Sequence, residues 1–215
     1  MKIAPRSKLV FIGDSITDCE RARPVGEGLF GATGKGYVSL VEGLLGAIHP
    51  AHAIRVVNMG TSGNVVTDLK ARWQTDALDL KPDRLAIMIG VNDVWRQFDS
   101  YRQTEIHVSP ETYAQTLDEI VAQARPRVKG LVLMAPFYIE PNRADAMRRR
   151  MDEYGAIVKK TAATHDALFI DTQAAFDAVL QHVHANALAW DRVHPNNTGH
   201  AIIARAFLNA VGVPL

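Results

Sequence analysis

Four short clusters hold residue types that could carry out acyl transfer: Gly13-Asp14-Ser15, Gly60-Thr61-Ser62-Gly63, Gly90-Val91-Asn92-Asp93 and Asp191-Arg192-Val193-His194-Pro195. A serine hydroxyl becomes a useful nucleophile when a base removes its proton. Imidazole changes charge near neutral pH, so His194 is the expected base for Ser15. Asp191, three residues earlier, can reach the other ring nitrogen and fix tautomer and orientation. The tetrahedral intermediate then needs donors for its oxyanion. The backbone N–H groups of Ser15 and Gly63 and the side-chain amide of Asn92 suit that role, one such donor being worth roughly 2.7–4 kcal/mol. Taken singly, each cluster has a plain reading as an N-cap, a structural histidine or ordinary turn chemistry. Together they form a site only if all of them meet at one place.

They meet only if the elements carrying them end together. Apolar runs at 9–12, 54–58, 85–89, 130–135 and 168–171 read as strands. Amphipathic stretches at 37–48, 65–80, 110–124, 145–164 and 195–211 read as helices, with Ser109 capping the third and Pro110 in its first turn. The strands are continuous apolar runs, the pattern of parallel strands covered on both faces. The alternation predicts one α/β domain over 1–215, with helices on both sides of a five-stranded parallel sheet. Ligands of such sheets bind beyond the carboxyl ends of the strands, where the four clusters fall. Two long loops are expected, 19–34 with four glycines and 93–108 with Trp95, Arg96, Phe98 and Tyr101.

Composition removes several alternatives. Of the 215 residues, 24 are Lys or Arg and 23 Asp or Glu, a net charge of +1 without the basic surplus of nucleic-acid binders. The run Arg148-Arg149-Arg150 reads as a solvated helix face. No apolar stretch approaches the ~20 residues that span a bilayer, and the run after Met1–Lys8 is short for an export signal. A single cysteine, Cys19, excludes an intrachain disulfide and points to a reducing cytoplasm.

The order and spacing of the four clusters resemble the sequence blocks of the SGNH, or GDSL-type, serine hydrolases. Within that family, Phe11–Pro24, Met88–Arg96, Asp171–Phe176 and Leu188–His194 are similar to the intracellular acetyl xylan esterases. The resemblance implies a three-layer, flavodoxin-like fold and removal of acetyl groups from xylan-derived sugars. It implies Ser15 as nucleophile, His194 as base, Asp191 as orienting acid, and Gly63 and Asn92 as oxyanion donors. It further implies no metal or organic cofactor, and a homo-oligomer built from dimers, an octamer among the options. An acetylated oligosaccharide is the expected partner, with no role for nucleic acid or membrane. Other readings are a hydrolase of lysophospholipids or thioesters, and a non-catalytic carbohydrate-binding protein.

Substrate contacts are expected from Asp14, Trp95, Tyr138 and Trp190. Trp190 could wall the acyl pocket or pack at a subunit contact. Trp95, Phe98 and Tyr101 could form a sugar-stacking rim or anchor their own loop, and Tyr138 could line the cleft or stay in the core. Asp14 and Asp93 are also expected to support turns. A metal site at His182, His184, His194 and Asp191 is disfavoured, because residues two apart on a helix do not share a face. Cys19 has no nearby partner that would make it a nucleophile.

Overall fold

The structure, a computed structural model, describes residues 2–213 and 215; Met1, part of the N-terminal stretch weighed as an export signal, lies outside them. Five strands, β1 (Lys8–Gly13), β2 (Arg55–Asn58), β3 (Arg84–Met88), β4 (Gly130–Met134) and β5 (Leu168–Ile170), form a fully parallel sheet in the order β2-β1-β3-β4-β5. This is the flavodoxin-like order, and the chain reverses its direction of travel across the sheet beside β1. The crevice at that switch point opens between the carboxyl ends of β1 and β3. Gly13 pairs there with Met88, so the segments that follow each strand emerge side by side.

Both faces of the sheet are covered, as the unbroken apolar runs predict. On one face α2 (Tyr37–Ile48) packs against α8 (Asn197–Ala210). The Phe11 ring meets Tyr37 edge-on at 5.6 Å and lies 4.9 Å from Phe207. Burying a side chain of this size contributes about 1.5–3 kcal/mol. On the other face lie α3 (Val66–Ala71), α4 (Val91–Asp99), α5 (Pro110–Ala124) and α6 (Ala146–Thr164), where Tyr113 and Tyr154 pack at 4.7 Å. The Ser109 hydroxyl accepts from Thr112 N–H, so α5 begins where the cap and Pro110 predict.

Three elements differ from expectation. The expected helix over 65–80 breaks at Arg72 into α3 and a π turn at Gln74–Leu78. A π turn brings residues five apart toward one side, and Trp73 and Leu78 are both buried. The expected loop at 93–108 begins as helix: α4 continues to Asp99, so Trp95 and Arg96 sit on a regular scaffold. The stretch Thr172–Leu180, beyond the expected helices, is helix α7, capped by the Asp171 carboxylate accepting from Ala174 N–H.

Candidate active site

The turn that carries Ser15 is fixed from every side. At Gly13, a Cβ would lie 2.1 Å from the Met88 carbonyl oxygen, so only glycine lets β1 end this close to β3. Asp14 then caps the one-turn helix α1 (Ser15–Asp18), its Oδ1 accepting from Ile16 N–H at 3.0 Å. The buried Asn58 amide ties this turn to β2. Its Nδ2 donates to the carbonyls of Thr17 (2.6 Å) and Thr33 (2.8 Å), while Oδ1 accepts from Gly60 N–H. Gly60 lies against α1 so closely that a Cβ would fall 2.1 Å from Asp18 N.

Ser15 Oγ lies 3.1 Å from His194 Nε2, and His194 Nδ1 lies 2.6 Å from Asp191 Oδ2. The other carboxylate oxygen, Oδ1, accepts from the N–H groups of Val193 (2.9 Å) and His194 (2.8 Å). Burial pushes the Asp191 carboxyl upward, but the bonds from the His194 ring and these two N–H groups outweigh it and hold the pKa below its ordinary value. An ionised carboxylate only accepts, so Nδ1 carries the ring proton and Nε2 turns its lone pair toward Ser15. The loop itself is braced. Arg192 has a left-handed φ of 63°, its side chain pairs with the buried Glu140 carboxylate, and its carbonyl accepts from Ile139 N–H at 2.9 Å.

Donors stand at the ends of the neighbouring strands. Among the described residues neither Ser15 N–H nor Gly63 N–H has an acceptor within the chain. Gly63 has a φ of +83°, and a Cβ there would meet nothing within 4 Å. Asn92 is buried at the start of α4; its Nδ2 donates one proton to the Asn64 carbonyl at 3.0 Å and keeps the other free. Arg72 binds these pieces together. It donates to the carbonyls of Gly13 (2.9 Å) and Met59 (2.8 Å) and to Asn64 Oδ1 (2.6 Å). Ends of β1 and β3 are thus coupled through Arg72, Asn64 and Asn92. This arrangement can generate a nucleophile and stabilise an oxyanion beside it.

The expected substrate contacts divide. Trp95 stands against the His194 ring edge-on at 5.4 Å and belongs to the site. Tyr138 is half-buried after β4, and its hydroxyl lies near Arg192 in the braced loop. Trp190 is 83% exposed, so within one chain it does not wall a pocket. Asp14 is 1% exposed and turned inward as a helix cap, which removes it from contact with substrate. Cys19 ends α1 with its thiol pKa raised by burial, which favours the unreactive thiol. Asn196 of the polar closing loop caps α8 by accepting from Gly199 N–H. Among the described residues no group of three or more His, Cys, Asp or Glu side chains is arranged to hold a metal ion, and no helix is long and apolar enough to cross a membrane. Sequence reasoning missed Asn58, Arg72 and Glu140 as supports. Only Asn58 left a signal, as a polar residue ending an apolar strand.

Two buried carboxyls sit behind the site. Asp93 Oδ1 accepts from Val66 N–H at 2.9 Å, and Asp14 and Asp93 each keep one oxygen without a partner. Burial pushes both up to about 7, and the Asp14 charge adds to the rise at Asp93. Unfolded, an aspartate releases its proton near pH ~3.9. The folded state therefore binds more protons between about 4 and 7, and stability falls as pH rises through that window. Asp93→Asn keeps an acceptor for Val66 but cannot ionise. The stability difference between pH 5 and pH 8, measured by urea unfolding, is expected to shrink by on the order of 2–4 kcal/mol. The comparison is between the two pH values because the buried amide carries its own desolvation cost. An unchanged difference would show that Asp93 is ionised in the folded protein at both.

Comparisons with known proteins agree with this geometry. A family model described as GDSL-like lipase/acylhydrolase matches residues 11–202. An acetylxylan esterase from Geobacillus stearothermophilus is 58% identical over 212 residues, covering 99% of this chain and 97% of that protein. Its crystal structure matches with a TM-score of 0.98 over the same shares of the two chains, at 58% identity. Solved catalytic mutants of that enzyme carry the changes S15A, D191A and H194A; each is 57% identical and matches with a TM-score of 0.98 over 99% of this chain and 97% of that one. Serine, aspartate and histidine stand at the same numbers in this chain.

Proposed function

This chain belongs to the GDSL-like lipase/acylhydrolase family, and on that premise we propose that it is a serine esterase removing acetyl groups from xylan or xylo-oligosaccharides. The observation that carries the reading is the Ser15–His194–Asp191 chain of contacts, with the lone pair of His194 directed at the serine. Ser15 Oγ attacks the ester carbonyl carbon while His194 Nε2 takes the hydroxyl proton. The carbonyl π electrons move onto oxygen, where Ser15 N–H, Gly63 N–H and Asn92 Nδ2 donate to the oxyanion. The intermediate collapses, the C–O bond to the sugar breaks, and His194 returns its proton to the departing oxygen. Water then attacks the acetyl-serine, giving its proton to His194, and acetate leaves as Ser15 regains a proton.

Support for acetyl and for xylan comes from the 58%-identical esterase. The test is a series of acetyl, butyryl and long-chain aryl esters, followed by acetylated xylo-oligosaccharides. Turnover is expected to peak on acetyl esters and to include the oligosaccharides. A peak on long acyl chains would instead favour the lysophospholipid or thioester reading. We further infer one domain over 1–215, a cytoplasmic setting and a homo-oligomer built from dimers. One continuous buried apolar cluster supports the first and the lone cysteine the second. Adjacent Leu29 and Phe30, exposed at a loop tip, support the third, and a single-chain mass on sedimentation would refute it.

A further inference from the structure

The face of α4 that supplies Asn92 continues away from the catalytic residues. Asn92, Trp95 and Arg96 are spaced i, i+3, i+4 and share one side of the helix. Trp95 touches His194, the Arg96 guanidinium lies 4.7 Å from the centre of the Trp95 ring, and Arg96 Nη2 reaches Asn92 Oδ1 at 3.5 Å. Beside Arg96 a cavity of about 430 Å³ opens, bordered by Gly63, Thr67, Asp68, Glu105 and His107. That volume is within the usual range of small-molecule pockets, about 300–1,000 Å³. Apart from Gly63, which it shares with the oxyanion donors, the reaction described above uses none of its lining.

Its lining selects among ligand classes. Arg96, whose Nη1 pairs with Asp99, keeps further N–H groups to donate, as does the Thr67 hydroxyl, while Asp68 and Glu105 accept. Asp68 spends one oxygen on Val65 N–H at 3.1 Å; Glu105 makes no hydrogen bond within the chain among the described residues. An anion entering the cavity faces two carboxylates, and a cation faces a guanidinium. Val65, Ile106 and Val108 also line the cavity, but a fatty acyl chain packed on them would strip water from the charged groups without replacing their hydrogen bonds. A neutral ligand rich in hydroxyls satisfies donors and acceptors together.

We propose that this cavity is a subsite for the unreacted part of a xylo-oligosaccharide, holding sugar units next to the one whose acetyl group lies at Ser15. The assignment rests on the esterase reading above and adds where the chain of the substrate lies. Its decisive groups are Arg96 and Glu105, with Thr67 at the wall.

Two variants test it, Thr67→Trp to fill the cavity and Glu105→Ala to remove an acceptor. Both positions are exposed, so neither change disturbs the core. For each, kcat/KM is measured on an acetylated xylo-oligosaccharide and on phenyl acetate, whose ring carries no free hydroxyl for the cavity to bind. The ratio of the first to the second is expected to fall by about tenfold or more in Thr67→Trp and by a smaller factor in Glu105→Ala, as lost binding free energy dictates. A ratio within about twofold of wild type in Thr67→Trp overturns the subsite. Titration with an unacetylated xylo-oligosaccharide separates this from failure of the esterase reading. Binding to wild type that Thr67→Trp abolishes supports the subsite even where acetylated sugar is not turned over. Absence of binding to wild type, with acetyl ester hydrolysis intact, overturns the subsite and leaves the esterase.

Discussion

Replacing Ser15 by alanine is expected to lower kcat on an aryl acetate by roughly 10⁶, the scale on which loss of a triad serine acts. The residual rate should still exceed that of water, because the donors at Ser15 N–H, Gly63 N–H and Asn92 remain. Fold stability should change little. The Ser15 hydroxyl has one hydrogen bond, to His194, and the helix it begins is capped by Asp14. Alanine is also the better helix former. Thermal unfolding therefore serves as the control that separates lost chemistry from lost structure. A serine-directed phosphonate should label the wild-type protein and leave the variant unmodified. Turnover within about tenfold of wild type in a folded variant would remove Ser15 as nucleophile, and with it the double-displacement route.

The catalytic chain was legible because its parts are local. Gly13-Asp14-Ser15 is one turn after an apolar run, and Asp191 and His194 stand three residues apart, so sequence spacing already constrains their geometry. The sheet was legible for a related reason, since strands buried on both faces cannot hide their apolar runs. α4 was not. Val91, Val94, Trp95 and Phe98 do fall at helical spacing, but Asn92-Asp93 after a glycine is also turn chemistry, and the turn reading displaced the periodicity. Asp93 is expected as a turn support, but the group it holds, Val66 N–H, lies 27 positions away and is seen only in the fold. Arg72 was invisible because its role is made by reach. It spans 59 positions of sequence to the Gly13 carbonyl, and nothing local distinguishes it from a solvated helix-end arginine. Asp14 failed as a substrate contact for the opposite reason. Its neighbour is the proposed nucleophile, Ser15, but adjacent side chains point apart, and a capping carboxylate must face its own backbone.

Asp191→Asn should cost on the order of 10⁴ in kcat while preserving the fold, and the hydrogen bonds explain why the loss is so large. Oδ1 of Asp191 accepts from two backbone N–H groups, Val193 and His194. An asparagine must keep its carbonyl oxygen there, since an amide NH₂ would face two donors and leave them unsatisfied. Its NH₂ group then replaces Oδ2 and points at His194 Nδ1. A donor at that place requires Nδ1 to accept, so the ring proton moves to Nε2. Nε2 then donates toward Ser15 Oγ and has no lone pair with which to take the serine proton. The variant thus keeps every position and reverses the direction of both hydrogen bonds made by the His194 ring. Raising the pH offers a check, because removing the serine proton directly requires only hydroxide. Activity of Asp191→Asn should therefore climb with pH over a range in which the wild-type rate is already flat. Should the variant instead retain wild-type activity at neutral pH, the aspartate would be only a loop brace and the tautomer argument would fall.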